Sequence, residues 1–473
     1  MAQPPAPLYG ARVADGGPGG RWGDDPRHTR AVRLLQRAYA ARPPGSPVRL
    51  AKRTSNLFRF GARETQPGLD VSGLNRVLSV DPAARIAVVQ GMATYEHIVD
   101  ATLAYGLMPL VVPQLKTITL GGAVAGLGIE SSSFRNGLPH ESVREIEVLT
   151  GDGRVVVATP EGEHADLFRA IPNSYGTLGY LLRLVIDLEP VKPFVRLRHL
   201  RFATAQRCLE AMATICADRR YAGEPVDFVD GTVFSSDEQY ITIGTFVDDA
   251  PTVSDYTGMD IYYRSIQRRA EDWLSVRDYL WRWDTDWFWC SRAFGVQRPV
   301  VRRLWPRRYR RSDVYRRIVA FDRRHQITAR LAQARGQRPR EPVVQDVEIP
   351  IEQTAKFLDI FHREVGITPI WLCPLRLRAD RPWPLYPLAP GQLYVNLGFW
   401  SSVPLAPGQA DDHHNRLVEE VVHELGGHKS LYSTVHYSEE EFWERYNGAA
   451  YQAVKATYDP DRRLPDLYQK VRG

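Results

Sequence analysis

PQLKTITLGGAVAGLGIESSSFRNGL, residues 113–138, decides how the rest of the chain is read. Gly121, Gly122, Gly126, Gly128 and Gly137 stand there among small residues, and Ser131, Ser132 and Ser133 add hydroxyl donors. Without Cβ atoms in the way, several peptide N–H groups can converge on a diphosphate or lie against a flat ring. A lone glycine cluster can equally be a packing loop. A second one, PNSYGTLG at 172–179, favours a ligand of dinucleotide size. Neither has the G-x-G-x-x-G spacing, which disfavours a Rossmann fold.

Around these loops the pattern is that of an α+β domain running from Val48 to about Pro190. Arg85 to Gln90 reads as a strand, and Thr94 can cap a helix that places Tyr95, Ile98, Val99 and Leu103 on one face before Gly106 stops it. Pro109 to Val112 is strand-like. Glu145 to Thr150 and Arg154 to Thr159 flank Gly151-Asp152-Gly153, a hairpin signal. A short helix at Ala165 to Ile171 and a strand at Tyr180 to Leu188 complete the unit.

Residues 1–47, rich in Pro, Gly and Arg, read as an extension with one helical stretch near Arg30 to Ala41. Residues 191–445 read as a second α+β domain, with strands near Val226–Phe234, Gln239–Phe246, Val343–Ile349, Pro369–Leu377 and Leu393–Phe399. Residues 446–473 are expected to pack back on the first domain. The 473 residues are 44% apolar, enough for two cores. No apolar run is long enough for a membrane span, and residues 1–30 lack the apolar stretch of a signal peptide, so a cytoplasmic protein is expected. Cys208, Cys216, Cys290 and Cys373 suit neither a disulfide framework nor a zinc site, and no metal is expected.

The order of these features resembles the PCMH-type FAD-binding domain of the vanillyl-alcohol oxidase superfamily, carried here by Asp70–Leu78 (DVSGLNRVL), Thr119–Gly122 (TLGG) and Gly151–Gly153. More specific motifs run almost to the C-terminal end. GIESSS at 128–133, DLF at 166–168, GTLG at 176–179, VVQD at 343–346, PIWLCP at 369–374, LYVNLG at 393–398 and EEFWERYNG at 440–448 resemble the delta-24 sterol reductase (desmosterol reductase) family. The membrane span that begins the eukaryotic reductases is not seen in this sequence, and residues 255–345 follow their pattern loosely.

The resemblance implies FAD as cofactor, a substrate (cap) domain after the FAD domain, NADPH as co-substrate and a lipid as substrate. The candidate diphosphate loop, residues 52–58 (KRTSNLF), offers Arg53, Thr54, Ser55 and Asn56 but no His or Cys, so the flavin is expected to be held non-covalently. The other cofactor contacts are expected from Pro113, Leu115, Thr117, Thr119, Gly121, Gly122, Gly126, Gly128, Ile129, Glu130, Ser131, Ser132, Ser133, Gly137 and Leu138, and from Ser174, Gly176 and Gly179 beside Asn173.

An isolated alkene has no carbonyl to stabilise incoming hydride, so protonation must lead or accompany the transfer. A sterol delta-24 side chain and a methylene-branched fatty acyl chain of a phospholipid both yield a tertiary centre. The arginine-heavy composition, seven lysines against fifty-four arginines, points to a bacterial source and favours the acyl chain. Tyr432 is the candidate acid, His436 the second choice and Asn396 a positioning donor, with Trp371, Cys373 and Tyr394 on the substrate side. An oxygen-using oxidase of an alcohol or lactone, and a flavin-free scaffold, are the alternatives.

The net charge is +6, and it accumulates unevenly. Six of the eleven tryptophans fall between Trp273 and Trp305, and fifteen arginines between Arg298 and Arg340. Segment 273–340 is therefore expected to dock on an anionic membrane surface at the inner face of the membrane. A solvated basic face is the plainer reading. Nucleic acid is not expected, since no module for it accompanies the arginines.

Overall fold

The computed structural model describes residues 12–13, 25–52, 58, 68–325, 330, 336 and 338–472. The first sheet is built from β1 (Arg12–Val13), β2 (Val77–Asp81), β3 (Ile86–Gln90), β4 (Leu107–Pro109), β5 (Val143–Leu149), β6 (Val155–Ala158) and β7 (Tyr180–Pro190). In space they run β1-β2-β3-β7-β5-β6, with β4 beside β7, and every pair except β1 with β2 is antiparallel. β3, IAVVQ, is buried at all five positions because both its faces are covered. Helix Tyr95–Leu103 starts where Thr94 Oγ1 accepts the His97 N–H, and it buries Tyr95, Ile98 and Val99. Helix Pro26–Ala40 is packed on this sheet by Val32, Leu35 and Tyr39, with the His28 ring 3.0 Å from Glu147.

Two expectations change here. Strand pairing stops at Pro109 instead of continuing to Val112, because Ser132 Oγ and Asn136 Nδ2 each donate to Leu110 O at 2.8 Å in place of a strand partner. The TLGG segment is the start of a helix, Leu120–Gly126, capped by Thr119, and not an open loop. A Cβ on Gly121 would lie 2.8 Å from Gly91 O, so glycine is what lets this helix press against the chain leaving β3.

The second sheet follows: β8 (Phe194–Phe202), a small hairpin of β9 (Arg220–Tyr221) and β10 (Glu224–Pro225), then β11 (Phe228–Ser235), β12 (Glu238–Val247), β13 (Glu271–Ser275), β14 (Arg340–Pro350), β15 (Ile370–Leu375), β16 (Tyr394–Pro404) and β17 (His428–Lys429). The eight strands outside the hairpin run β13-β8-β12-β11-β15-β16-β14-β17, all antiparallel. Side chains alternate between its faces. Val343, Val347, Ile349, Leu372, Val395 and Leu397 pack with helices Ala205–Asp218, Ile351–Glu364 and His413–Glu424. The intervening residues face the first domain.

The expected membrane segment divides: residues 273–297 are largely interior, whereas most described residues from Arg298 onward are exposed or half-buried. Trp281, Trp283, Trp287 and Trp289 are buried, as are Arg302 and Arg310 of the arginine run. Arg302 is bidentate to Asp286, and Arg311 is bidentate to Glu96 of the first domain. Arg282, from the same segment, joins both domains. It donates to Glu130 Oε1 and to Asp230 Oδ2, each at 2.8 Å, with its guanidinium 4.0 Å from the Tyr279 ring centre.

Candidate active site

Between the two sheets lies a cavity of about 1390 Å³, above the roughly 300–1,000 Å³ usual for a small-molecule pocket and large enough for a dinucleotide with room beyond it. Its near wall is backbone-rich. Pro113, Leu115, Thr117, Thr119, Gly121, Gly122, Gly126, Gly128 and Ile129 line it, with Gly176 and Gly179 from the second glycine loop. The two loops are stapled together by Tyr175, whose N–H donates to Ala125 O at 2.8 Å and whose hydroxyl donates to Gly126 O at 2.6 Å. Lys455 Nζ reaches Thr177 O at 2.8 Å and Lys470 Nζ reaches Tyr175 O at 2.7 Å, so the C-terminal segment braces the same loops.

Not every residue of the glycine-rich segment reaches the cavity. Ser131 Oγ lies 2.7 Å from both Glu130 Oε1 and the Tyr279 hydroxyl, and Ser133 Oγ accepts the Glu130 N–H. Glu130 is committed to Arg282. Ser132 holds Leu110, Gly137 packs on Glu141, Leu138 is core, and Ser174 Oγ donates to Ile171 O. GIESSS thus ties the domains together, with only Gly128 and Ile129 on the cavity. Arg53, Thr54, Ser55 and Asn56 lie outside the described residues.

The two ends of the cavity differ chemically. At one, Arg49, Lys52, Arg462, Arg463 and Lys470 line the wall, with Lys52 Nζ 3.0 Å from Thr119 Oγ1. At the other stand Phe58, Trp287, Phe288, Trp371, Trp400 and Tyr432. Phe58 stacks on Trp287 at 5.5 Å, and Phe288 lies 5.5 Å from Trp371 and 4.4 Å from Trp400. A cationic end, an unhindered backbone wall and an aromatic end suit the diphosphate and the flat ring of FAD.

Among the described residues the aromatic end contains one carboxyl, Asp346. Register explains its placement: Asp346 on β14 pairs with Gly398 on β16, and Gly398 pairs with Trp371 on β15. The ends of VVQD and LYVNLG and the tryptophan of PIWLCP therefore lie side by side across three strands. A Cβ on Gly398 would come within 2.4 Å of Asp346 Oδ1 and 2.6 Å of the Trp400 ring, so both groups depend on that glycine. Burial pushes the Asp346 carboxyl up to about 8, opposed by the adjacent Asn396 amide. Glu348, two residues on and wholly buried, is also pushed up to about 8, by burial and by the charge of Asp346, while Ser430 Oγ donates to its Oε1 at 2.9 Å.

The other expected site residues divide. Tyr432 lines the cavity, where its hydroxyl accepts the Trp400 Nε1–H at 2.8 Å, and burial together with the nearby Asp346 raises its phenol well above the ordinary range. Trp371 also lines it, with Nε1 3.3 Å from Asp230 Oδ2. His436 is turned away, its ring 3.3 Å from Asp412 Oδ2 and its backbone N–H donating to Glu419. Asn396 and Cys373 are buried beneath the wall, and burial holds the Cys373 thiol far above its usual range. The Tyr394 hydroxyl accepts the Ala389 N–H at 3.2 Å, off the cavity.

Sequence reasoning missed Trp287, Phe288, Trp400 and Asp346 as cavity residues, while Phe58 closes the candidate loop 52–58. The signal for Asp346 was present: in VVQDVEI the acids recur with the two-residue period of a strand whose alternate positions are apolar.

Fold and chamber suit a flavin-dependent oxidoreductase, and comparison with known proteins supplies the class. Residues 26–159 match the FAD binding domain family. Over a longer stretch the chain is similar to the Delta(24)-sterol reductase of Homo sapiens, 28% identical over 421 residues that cover 84% of this chain and 76% of the human protein. The Delta(24)-sterol reductase of Arabidopsis thaliana is 25% identical over 447 residues, 85% of this chain and 76% of the plant protein. Decaprenylphosphoryl-beta-D-ribose oxidase of Mycolicibacterium smegmatis is 33% identical over 125 residues only, 26% of this chain and 27% of that protein. The chain is an FAD-dependent oxidoreductase that is similar, over most of its length, to delta-24 sterol reductases.

Proposed function

We propose that the protein reduces an isolated, branched carbon–carbon double bond in a lipid, with NADPH as the source of hydride. The observation that carries this reading is the aromatic end of the cavity: a greasy box with one acid among its described residues suits an alkene that must be protonated, and tryptophan faces stabilise the cationic carbon that results. Bound FAD would supply hydride to that carbon. The backbone from Pro113 to Ile129 and the cations Lys52, Arg462 and Arg463 would hold the cofactor, and Trp371, Trp400 and Tyr432 would hold the alkene.

The substrate is either a methylene-branched acyl chain of a phospholipid or a sterol side chain, and the acyl chain is favoured. No described helix is long and apolar enough to cross a membrane. The docking surface narrows to the exposed part of the basic segment, where Val300 and Leu304 lie one turn apart on helix Pro299–Leu304, 73% and 78% exposed, with Tyr309 and Phe321 also exposed. Arg303, Arg307, Arg308 and Arg317 are exposed around them, a composition suited to anionic headgroups.

The test is anaerobic. FAD-loaded protein reduced with NADPH is mixed with vesicles carrying either alkene, and flavin absorbance and lipid mass are followed. Reoxidation with gain of two hydrogens by the lipid is the expected result. The local likeness to an oxidase supports a second reading, oxidation of an alcohol or lactone by oxygen. Substrate-dependent peroxide in air, with no reaction of either alkene, would replace the first reading with the second.

A further inference from the structure

We infer that Asp346, and not Tyr432, is the acid that protonates the alkene, with Gly398 as its positioning residue. This rests on the reductase reading above. Three motifs that cofactor binding leaves unexplained converge on one spot: the Asp346 carboxyl stands over Gly398, with Trp371 next in line across the sheet and the Trp400 ring beside it. It is the one carboxyl among the described residues of the cavity's aromatic end.

Its surroundings suit a neutral acid. Among the described residues neither Asp346 nor Glu348 has an ion pair, and Asp346 Oδ1 is buried without a hydrogen-bond partner. The ionisable groups facing it are Glu348 on the same strand and the Tyr432 phenol across the cavity. Two neighbouring carboxyls in a low-dielectric wall cannot both ionise cheaply, so a proton is retained near neutral pH. The Tyr432 hydroxyl, by contrast, is held by Trp400 and is a far weaker acid in this setting.

The Asp346 O–H bond breaks and its proton adds to the less substituted alkene carbon, using the π electron pair to form the new C–H bond. The tertiary carbon left positive accepts hydride, two electrons and a proton's mass, from the reduced cofactor. The lipid is thereby reduced by two electrons and the cofactor oxidised. Water returns a proton to the Asp346 carboxylate.

The experiment compares FAD-loaded wild type, Asp346→Asn and Tyr432→Phe. Each is reduced with NADPH under argon and mixed with vesicles containing a methylene-branched acyl phospholipid or a sterol with a trisubstituted side-chain alkene. Asp346→Asn is expected to slow alkene-dependent reoxidation by about 10²–10⁴-fold, the usual share of a general acid, with flavin content and the rate of reduction by NADPH preserved and the melting temperature not lowered. In wild type the reoxidation rate should fall as pH rises through about 8.

A readout independent of turnover is the infrared band of a protonated carboxylic acid. It should be present at pH 6, fade toward pH 9, and be diminished in Asp346→Asn, with Glu348→Gln separating the second carboxyl. Retained reoxidation in Asp346→Asn, or no protonated acid at pH 6, overturns the assignment while leaving the reductase reading intact. If wild type is not reoxidised by either alkene, the reductase reading falls, and the assignment with it.

Discussion

Replacing Arg282 by methionine tests how the two domains are joined. The side chains of Arg282, Glu130 and Asp230 are 1%, 2% and 2% exposed, and the guanidinium is the cation on which both carboxylates close. Methionine keeps much of the volume and removes the charge, leaving two carboxylates in a dry site. Breaking a buried pair in this way costs about 3–5 kcal/mol, and since each 1.4 kcal/mol is roughly tenfold, the folded fraction should drop by a hundred- to several-thousand-fold relative to the unfolded.

Urea unfolding followed by tryptophan fluorescence measures the cost as a lower midpoint at unchanged slope. Burial already raises the Glu130 carboxyl, and Asp230 adds to it, while Arg282 opposes both. Without the arginine that shift grows. A carboxyl raised in the folded state contributes stability at low pH that is lost as pH rises, so the deficit should widen from pH 5 to pH 8. Adding Glu130→Gln and Asp230→Asn should restore most of the loss, because the unpaired charges and not the missing contacts cause it. A deficit under about 1 kcal/mol for Arg282→Met alone would refute the argument.

Further outcomes follow from other parts of the molecule. Asp346 and Glu348 both titrate near 8 in the folded protein against about 4 when unfolded, so the pair contributes stability that is lost as pH climbs from about 4 to 8; Glu348→Gln should flatten that slope in a pH series of melting temperatures. Gly398→Ala should displace the Asp346 carboxyl and the Trp400 ring and cut alkene-dependent flavin reoxidation by about a hundredfold, with FAD still bound, and unchanged turnover would show that the close approach does not matter. Val300→Asp with Leu304→Asp should abolish co-sedimentation with anionic vesicles at low salt without altering flavin content, and undiminished binding would place the membrane contact elsewhere.

The α+β fold and the FAD-binding domain could be read from the sequence because strands such as IAVVQ and the hairpin about Gly151–Gly153 carry their periods and turn residues locally. β8 escaped notice: FVRLRHLRF places arginines at alternate positions, and only the fold shows Arg196 and Arg198 reaching Glu224 while Val195 and Leu197 point inward. β13, at Glu271–Ser275, was missed for want of any apolar run. The glycine-rich segment advertised a ligand along its whole length, yet its second half serves the interdomain ion cluster, since serine hydroxyls suit a phosphate and a buried carboxylate alike. The tryptophans of 281–289 suggested a membrane belt because bulk and polarity do not reveal which side of a chain is covered. For Asp346 the strand period in VVQDVEI showed which face it takes, but its neighbours on β15 and β16, distant in sequence, show what it stands beside.

The two-sided second sheet also constrains how such a protein can diversify. In β14, β15 and β16 each residue belongs to the opposite compartment from the next, so gaining or losing one position would carry oily side chains into the reaction chamber and the acid into the helix layer. Diversification is thereby confined to exchanging side chains on the inner face, or to altering lengths in exposed connections such as residues 406–411, where no side chain is buried.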